Sequence, residues 1–354
     1  MTLHVDSLLT RAQIGPLTKN ELRVSGFIPI RRGIYLPEAL LPADVPRWRI
    51  RRLVTQARAL SVSIARQAAR PPVLTLESAL AVHDLQTWTN TVDVSFRVES
   101  NLSQCRPRTL EPITVGGVEV CAVTERQLMS EVPRSDVVRV NGVHTAPLRV
   151  VALDCARFLH PLAAVVAVSS ILRHASDFDF RRLPMCRAVE AKARALIKTD
   201  IATVSRRRGC RQAVAVLDVA DAGLQTPGEG YLWWLLHCML PGNIRRSLVT
   251  QWQIILGGKK YFPDAALPER KILFEFDGFG KITENERDFL SRQRALLAAG
   301  WVVIRVDQSQ LNDPTELISY LMRELHSSGV PSHYPSGALW KPLTRDLLDP
   351  RRRF

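Results

Sequence analysis

Residues 261–278 read YFPDAALPERKILFEFDG and place three carboxylates, Asp264, Glu275 and Asp277, around one short apolar strand. Side chains along a β-strand alternate between its two faces. The aromatic side chains of this strand therefore share one face, whereas Glu275 and Asp277 project together from the other. Because acids are rarely buried without a partner, these carboxylates are the first candidates for a functional site.

Asp264 lies on the strand that precedes Glu275, with ten residues between the two acids. A hairpin of that length brings Asp264 next to Glu275. Carboxylates that meet at one strand end repel one another unless a cation neutralises them, and oxygen ligands of this kind favour Mg²⁺ or Mn²⁺. Such an ion polarises a phosphoryl oxygen and lowers the pKa of a bound water. The pattern therefore predicts a metal site suited to phosphodiester hydrolysis.

Each acid also has a local explanation. Glu229, a further candidate acid, stands in the first turn of the helix that leads into this segment, but Thr226 and Glu229 also form a capping box. Asp277 begins an Asp-Gly pair that is common in turns, and Asp264 follows a proline at a strand end. One shared site explains the acids more economically, and both explanations stay open for Glu229.

The segment 223–330 that contains these acids has a definite order of predicted elements. A capped helix is followed by three strands within residues 247–277 and by an amphipathic helix that Gly300 ends. The next strand, WVVIRVD at 301–307, is apolar on both faces, which is typical of a central parallel strand. A last helix covers roughly residues 314–327. The order αβββαβ predicts a meander whose fourth strand returns by a crossover.

The N-terminal segment 1–45 is predicted to be a small winged helix-turn-helix domain. Residues 7–17 have the pattern of a short helix, Thr18 begins a second helix through a capping box with Glu21, and a basic hairpin follows in residues 27–37. In such a domain the second helix enters the major groove of DNA. The predicted DNA contacts are Lys19, Asn20, Arg23, Arg31 and Arg32. The alternative is that these side chains are only solvated surface.

The rest of the chain has weaker signals. Residues 41–53 are proline-rich and basic, as in a linker or arm. Residues 60–222 form an α+β middle region, with a hairpin at Gly116–Gly117 and helices from Pro147 onward. Residues 331–354 form a basic tail. The predicted class is therefore α/β multidomain, with a winged helix, an α+β middle region and a C-terminal αβββαβ core.

The charge of the chain is strongly positive, with 48 Lys/Arg against 34 Asp/Glu and a net charge of +14. Residues 1–222 hold a net +11, residues 223–330 are neutral and residues 331–354 hold +3. This surplus favours nucleic acid as a partner, the alternative being an arginine-rich composition that follows a GC-rich genome. The scattered cysteines argue against a zinc cluster. Without a signal core or a bilayer-length apolar run, we expect a soluble cytoplasmic protein with no membrane partner.

The stretch FPDAALPERKILFEFDG (262–278) resembles the PD-(D/E)XK nuclease superfamily, in the branch similar to very-short-patch-repair endonucleases. The segment ENERDFLSRQRALLAAGWVVIRV (284–306) is similar to the same branch. The resemblance implies a restriction-endonuclease-like core in which Asp264, Glu275 and Glu229 bind a divalent metal.

One position departs from this family pattern. The motif E-x-K would place a lysine where the chain has Asp277, and the resemblance then points to Lys281 as the residue that orients water. The departure bears on catalysis rather than on fold. The predicted catalytic residues are Asp264, Glu275, Asp277, Lys281 and Glu229.

A second resemblance covers most of residues 1–330. The stretches LTKNELRVSGFIPIRRGIYLP (17–37), VLTLESALAVHDLQTW (73–88) and PLRVVALDCARFL (147–159) resemble AbiEi-type antitoxin proteins of actinobacteria, which often carry such a nuclease-like domain at the C-terminus. This resemblance implies DNA binding by the winged helix, autoregulation beside a toxin gene, and a cognate toxin protein as a partner.

Two functions are therefore expected. The first is a Mg²⁺- or Mn²⁺-dependent endonuclease that acts on double-stranded DNA and is targeted by the winged helix. The second is an antitoxin-like repressor whose nuclease fold is catalytically inactive and clamps DNA or binds protein. A purely structural role is a third possibility. Metal-dependent DNA nicking that is lost in Asp264→Ala and Glu275→Ala would favour the first.

Overall fold

A computed structural model of the chain describes residues 2–42, 44–66, 71–98, 106–129, 136–204, 207–278 and 286–353, without the side chains of Lys19, Met129, Glu286, Arg287 and Asp288. The described chain is a mixed α/β fold with several sheets, which confirms the predicted class at that level. It divides into two compact units, Met1–Cys155 with Thr344–Phe354, and Ala156–Leu343. No helix within the described ranges is both long and apolar enough to cross a membrane.

The α-helices are α1 (Arg11–Ile14), α2 (Lys19–Val24), α3 (Arg47–Ala65), α4 (Leu76–Val82), α5 (Leu148–Phe158), α6 (Pro161–Ala175), α7 (Leu183–Thr203), α8 (Cys210–Val219), α9 (Pro227–Met239), α10 (Gly242–Arg245), α11 (Glu286–Ala298), α12 (Pro314–Ser327), α13 (Arg345–Leu348) and α14 (Pro350–Arg353). The strands are β1 (Leu9–Thr10), β2 (Phe27–Arg31), β3 (Ile34–Pro37), β4 (Val73–Leu74), β5 (Val94–Val98), β6 (Arg108–Leu110), β7 (Ile113–Val115), β8 (Val118–Val120), β9 (Val123–Met129), β10 (Val138–Val140), β11 (Val143–Thr145), β12 (Val249–Thr250), β13 (Ile254–Leu256), β14 (Lys259–Tyr261), β15 (Ala265–Leu267), β16 (Ile272–Asp277) and β17 (Val302–Asp307).

The first 45 residues follow their local sequence signals closely. Thr18 caps α2 by accepting the Glu21 N–H at 3.2 Å, and the Glu21 carboxylate accepts the Thr18 N–H at 2.5 Å. β2 and β3 form the predicted antiparallel hairpin, with Gly33 at φ +77° in its turn. The helix predicted over residues 7–17 is shorter, because Gly15 has a φ of +94° and ends α1.

The prediction of a linker or arm over residues 41–53 is wrong from Arg47 onward, where the chain enters helix α3. Leu53, Ala57 and Leu60 recur at helical spacing and are buried. Arginines between them concealed the pattern in the sequence. Arg58, for example, is fully buried and donates to two backbone carbonyl oxygens at 2.7 Å.

A six-stranded sheet in the order β10-β11-β4-β5-β9-β6 forms the centre of the first unit. The hairpin predicted at Gly116–Gly117 is β7–β8, and both glycines have positive φ. Asp154 of α5 is buried in this unit and accepts from Arg97 at 2.6 Å and from Thr75 at 2.7 Å. The helices of residues 156–222 belong to the second unit, so the two units cut across the predicted range 60–222.

The predicted basic tail, residues 331–354, is packed rather than loose. In the second unit, Trp340 stacks on Trp234 with ring centroids 5.2 Å apart. In the first unit, the Arg352 carbonyl accepts the Asn90 N–H at 2.7 Å and the Thr91 N–H at 3.2 Å. The apolar and backbone contacts of this segment, which its basic composition hides, hold it in place.

The second unit contains the elements predicted for residues 223–330. Its sheet has the order β12-β15-β16-β17, with β15 antiparallel and β17 parallel to β16. Two of the predicted strands are each split in two. Gln251, at φ +53°, separates β12 from β13. The second predicted strand is interrupted at Pro263, between β14 and β15. β13 and β14 pair with each other as a separate hairpin.

The two faces of β16 pack against different helices. On one face, Phe276 lies so close to Gly228 in α9 that a Cβ there would be 2.1 Å from the Phe276 ring. On the other face, Leu273 packs with Leu296 of α11. Because Glu275 and Asp277 alternate with Phe276 along the strand, they lie on the face that α11 covers.

Candidate functional site

Asp264 and Glu275 are neighbours in the sheet of the second unit. Ala265 of β15 lies opposite Phe274 of β16, so the antiparallel register places Asp264 beside Glu275. Each residue is only 8% exposed. Asp264 Oδ2 accepts the Phe276 N–H at 2.7 Å, which fixes its carboxylate at the strand end. The structure therefore brings these two predicted site residues together.

Arg305 bridges the two acids of β16. It lies on β17, where it is the direct partner of Glu275 across the parallel pair. Its Nη2 is 2.5 Å from Glu275 Oε2, and its Nη1 is 3.0 Å from Asp277 Oδ2. Arg292 of α11 stands on the same side, with its Nη2 3.8 Å from Glu275 Oε2. Two arginines thus neutralise the carboxylates on this face of the sheet.

The pKa of Glu275 is nevertheless raised above its ordinary value. Burial is the largest cause, because removing a carboxylate from water disfavours its charged form. Arg305 and Arg292 lower this pKa, whereas the nearby Asp264 and Asp277 raise it. The charges of the arginines therefore only partly offset the burial of Glu275.

Sequence reasoning identified the acids but missed both arginines. Phe289 of α11 holds them in place, since its ring centroid lies 4.7 Å from Arg305 Cζ and 5.8 Å from Arg292 Cζ. The sequence did contain a signal that Arg305 has a buried partner. Arg305 is the charged residue in the middle of a strand that is otherwise apolar on both faces, and such a residue requires a buried partner.

Glu229 is engaged in the capping of α9. Its backbone N–H donates to Thr226 Oγ1 at 3.2 Å, its Oε1 accepts from that hydroxyl at 3.1 Å, and its Oε2 accepts the Gln225 N–H at 2.7 Å. The side chain is buried, so these bonds stabilise the helix start. The local explanation for Glu229 is therefore realised in the structure.

The arrangement of these side chains does not fit a bound divalent cation. Their chemistry suits Mg²⁺, but Arg305 binds Oε2 of Glu275 and Oδ2 of Asp277, and the helix cap engages both carboxylate oxygens of Glu229. Among the described residues, no group of three Asp, Glu, His or Cys side chains is placed to hold a metal ion. Lys281, the predicted substitute for the motif lysine, lies outside the described residues.

A groove of about 580 Å³ adjoins the acid cluster at Arg292. Its lining combines three cationic, three aromatic and three glutamine residues: Arg181, Lys260, Arg292, Phe180, Tyr261, Phe262, Gln225, Gln251 and Gln253. Phe180 and Phe262 pack together with ring centroids 4.8 Å apart. No carboxylate is among these lining residues, so the groove favours an anionic ligand.

The predicted DNA contacts near the N-terminus have different environments. Asn20, Arg23 and Arg32 are exposed, and the side chain of Lys19 lies outside the described structure. Arg31 is buried, forms an ion pair with Glu125 and donates to Ser61 Oγ at 3.2 Å. It is therefore not a surface contact for DNA, because its position in the hairpin turns its side chain into the first unit.

Comparisons of the chain with protein-family models, with curated proteins and with solved structures found no match.

Proposed function

We propose that this chain is a DNA-binding protein of the repressor type and that arginines hold its acid cluster in a non-hydrolytic state. The observation that carries the proposal is the bridge from Arg305 to Glu275 and Asp277. A guanidinium fork satisfies two carboxylates with directed hydrogen bonds. It thereby takes the position that a cation needs in a metal-dependent nuclease.

The DNA-binding part of the proposal is supported by charge and exposure. Residues 1–222 carry a net charge of +11. Within this segment, the capped helix α2 and the β2–β3 hairpin expose Asn20, Arg23 and Arg32. In the second unit, the cationic groove at Arg181 and Lys260 supplies another surface that suits a phosphate backbone.

Point variants test this better than a truncation. Arg31 pairs with the buried Glu125, so deletion of residues 1–45 would leave that carboxylate without a principal partner and disturb the first unit. The double variant Arg23→Gln/Arg32→Gln removes only exposed groups. We expect it to lower affinity for a mixed-sequence duplex about tenfold and to reduce the slope of log affinity against log salt by roughly two, one per phosphate contact.

The matched control is Arg270→Gln/Arg294→Gln, which removes the same charge from exposed positions in the second unit. Fluorescence anisotropy over a salt series measures both double variants. If the control loses as much affinity as the test variant, net charge rather than the N-terminal segment accounts for binding. If neither variant loses affinity, the assignment of Arg23 and Arg32 is wrong.

Metal-dependent hydrolysis is the second candidate, and the adjacency of Asp264 and Glu275 favours it. Nicking of supercoiled plasmid in Mn²⁺ or Mg²⁺ distinguishes the two functions. The repressor proposal expects no nicking above that seen in chelator. Nicking by the unaltered protein that disappears in both Asp264→Ala and Glu275→Ala would establish hydrolysis and overturn the non-hydrolytic assignment.

A further inference from the structure

A cavity of about 1090 Å³ lies in the described part of the second unit, and Gln251 and Gln253 line both this cavity and the groove beside Arg292. Its walls come from α7, α8, α9 and α10 and from the edge strand β12. Ligand sites in proteins typically measure roughly 300–1,000 Å³. The cavity is therefore large enough for a ligand of substantial size.

Part of the polar lining is satisfied internally. Arg187 donates to Glu190 at 2.7 Å and to Asp221 at 2.8 Å, and Arg194 donates to Glu190 at 2.7 Å. Thr250 Oγ1 donates to Asp221 at 2.6 Å. Because these charges cancel, the groups that would select a ligand are the remaining polar side chains of the lining.

His237 is the first of these groups. It is 8% exposed, and neither of its ring nitrogens has a hydrogen-bond partner among the described residues. Burial, reinforced by the positive charge of Arg245, lowers the pKa of His237 to about 3. The ring is therefore neutral and offers one N–H donor and one lone pair. Leaving both unsatisfied is costly. The two nitrogens point in different directions, so a polar group of a ligand would satisfy the one that it reaches.

Two exposed arginines at the same cavity provide positive charge. Arg245 Nη1 donates to the His237 carbonyl at 3.1 Å, and Arg246 Nε donates to the Gly242 carbonyl at 3.1 Å. Neither has a carboxylate partner among the described residues. Each guanidinium keeps further N–H groups for a ligand, and a phosphate is the anion that this geometry suits.

Aromatic surface completes the lining. Trp233 donates its indole N–H to the Val219 carbonyl at 2.7 Å and holds its ring 4.6 Å from that of His237. Trp252 is 44% exposed although it lines the same cavity. The exposed ring of Trp252 is of the kind that stacks on nucleobases, whereas Trp233 is only 4% exposed and supports His237 from behind.

We propose that this cavity binds a nucleoside phosphate, with the base against Trp252 and beside His237 and the phosphate at Arg245 and Arg246. A base edge offers both donors and acceptors, so it can pair with whichever ring nitrogen of His237 faces the cavity. The side chains that carry this proposal are distinct from the predicted N-terminal DNA contacts and from the residues of the acid cluster. The ligand is either a free nucleotide or one nucleotide of a single strand, since both have the same chemistry.

Isothermal titration calorimetry of the full chain tests the proposal with four probes: AMP, adenosine, inorganic phosphate and a short single-stranded oligonucleotide. We expect AMP to bind at least tenfold more tightly than adenosine or phosphate. An oligonucleotide that binds more tightly than AMP and competes with it would identify a strand as the source. AMP binding that the oligonucleotide does not displace would identify the free nucleotide.

Two variants connect binding to the cavity. His237→Phe removes both ring nitrogens, and Arg246→Gln removes charge from an exposed side chain that does not contribute to the core. Each is expected to weaken AMP binding about tenfold or more, whereas Arg270→Gln should leave it unchanged. The binding result for His237→Phe is used only if the circular dichroism spectrum of this variant matches that of the parent protein. If the spectra differ, Arg246→Gln alone decides the test. No AMP or oligonucleotide binding, or binding that Arg246→Gln leaves unaltered, would overturn the site.

Discussion

Arg305 pairs with Glu275 across the neighbouring strands β17 and β16 and also reaches Asp277. In the described sheet β17 is an edge strand, although its apolar sequence predicted a central one. The Glu275 side chain is 11% exposed and that of Arg305 is 21% exposed, so both charges are largely removed from water. Such a pair costs desolvation energy to form, yet the loss of one partner is worse, because the other charge stays buried alone. The cluster is therefore sensitive to changes at either residue.

The variant Arg305→Met should lower the free energy of unfolding by about 3 kcal/mol, because it leaves the Glu275 carboxylate buried without its principal partner. Adding Glu275→Gln should recover part of this loss, since the amide carries no charge. Urea unfolding of the four proteins of the double-mutant cycle measures the coupling. Arg294→Met, at an exposed position of α11, is the control. Strictly additive effects would contradict the bridge.

His237 should make the protein less stable in mild acid. Its pKa is about 3 in the folded chain and near 6.5 in an unfolded one. Between these values the unfolded chain binds a proton that the folded chain does not, so stability falls as pH drops below 6.5. At pH 5 the loss from this residue is about 2 kcal/mol.

The comparison that isolates this effect is urea unfolding at pH 7.5 and pH 5 for the parent and for His237→Phe. The difference between the two pH values should be smaller in the variant. His326→Phe changes an exposed histidine of the second unit. In this control the difference in unfolding free energy between pH 7.5 and pH 5 should equal that of the parent. A pH difference in His237→Phe as large as in the parent would mean that His237 is protonated in the folded state.

Elements with strong local signals were predictable from the sequence. Capping at Thr18, the Gly116–Gly117 hairpin and the helix over residues 314–327 each depend on neighbouring residues, and all appear in the structure. The helix α3 was missed because its arginines are buried by contacts far along the chain. The break at Gln251 was missed for a similar reason, since its amide donates to the Gly223 carbonyl at 3.2 Å.

The candidate site also has features that the sequence predicted and features that it did not. The acids share a hairpin of short sequence separation, so their adjacency followed from strand alternation and loop length. Arg292 and Arg305 belong to α11 and β17, and their approach to Glu275 depends on the parallel register between β16 and β17. No local pattern in the sequence specifies that register. The sequence therefore predicted which acids meet, but not that arginines would neutralise them.

The contact between α9 and β16 depends on a residue without a side chain. A Cβ on Gly228 would lie 2.1 Å from the Phe276 ring, whereas one on Gly242, at the start of α10, would meet nothing within 4 Å. Gly228→Ala should therefore force α9 away from the sheet and lower stability by about 1–3 kcal/mol. Gly242→Ala is the matched control and should be nearly neutral. Equal thermal unfolding of the two variants would contradict this packing.

At the scale of the whole molecule, the chain builds its first unit from both ends. After the second unit, α13 and α14 belong to the unit that begins at the N-terminus. The Trp88 indole N–H donates to the Leu347 carbonyl at 2.9 Å, and Arg352 Nη2 donates to the Ala122 carbonyl at 3.0 Å. Arg353 is buried there, although a run of arginines at a chain end suggests exposed charge. Basic composition therefore does not by itself identify a nucleic-acid-binding tail.

Deletion of residues 344–354 should accordingly destabilise the first unit by about 3 kcal/mol, since several buried hydrogen bonds are lost and each contributes roughly 1 kcal/mol. Hydrogen exchange locates the effect. The amides of Asn90 and Thr91, which donate to the Arg352 carbonyl, should lose protection, whereas amides in β16 should keep theirs. Arg351→Gln, an exposed change in the same segment, is the control for lost charge. Unchanged exchange at Asn90 and Thr91 after the deletion would show that the C-terminal helices do not pack on this unit, and would restore the basic tail as a candidate for DNA contact.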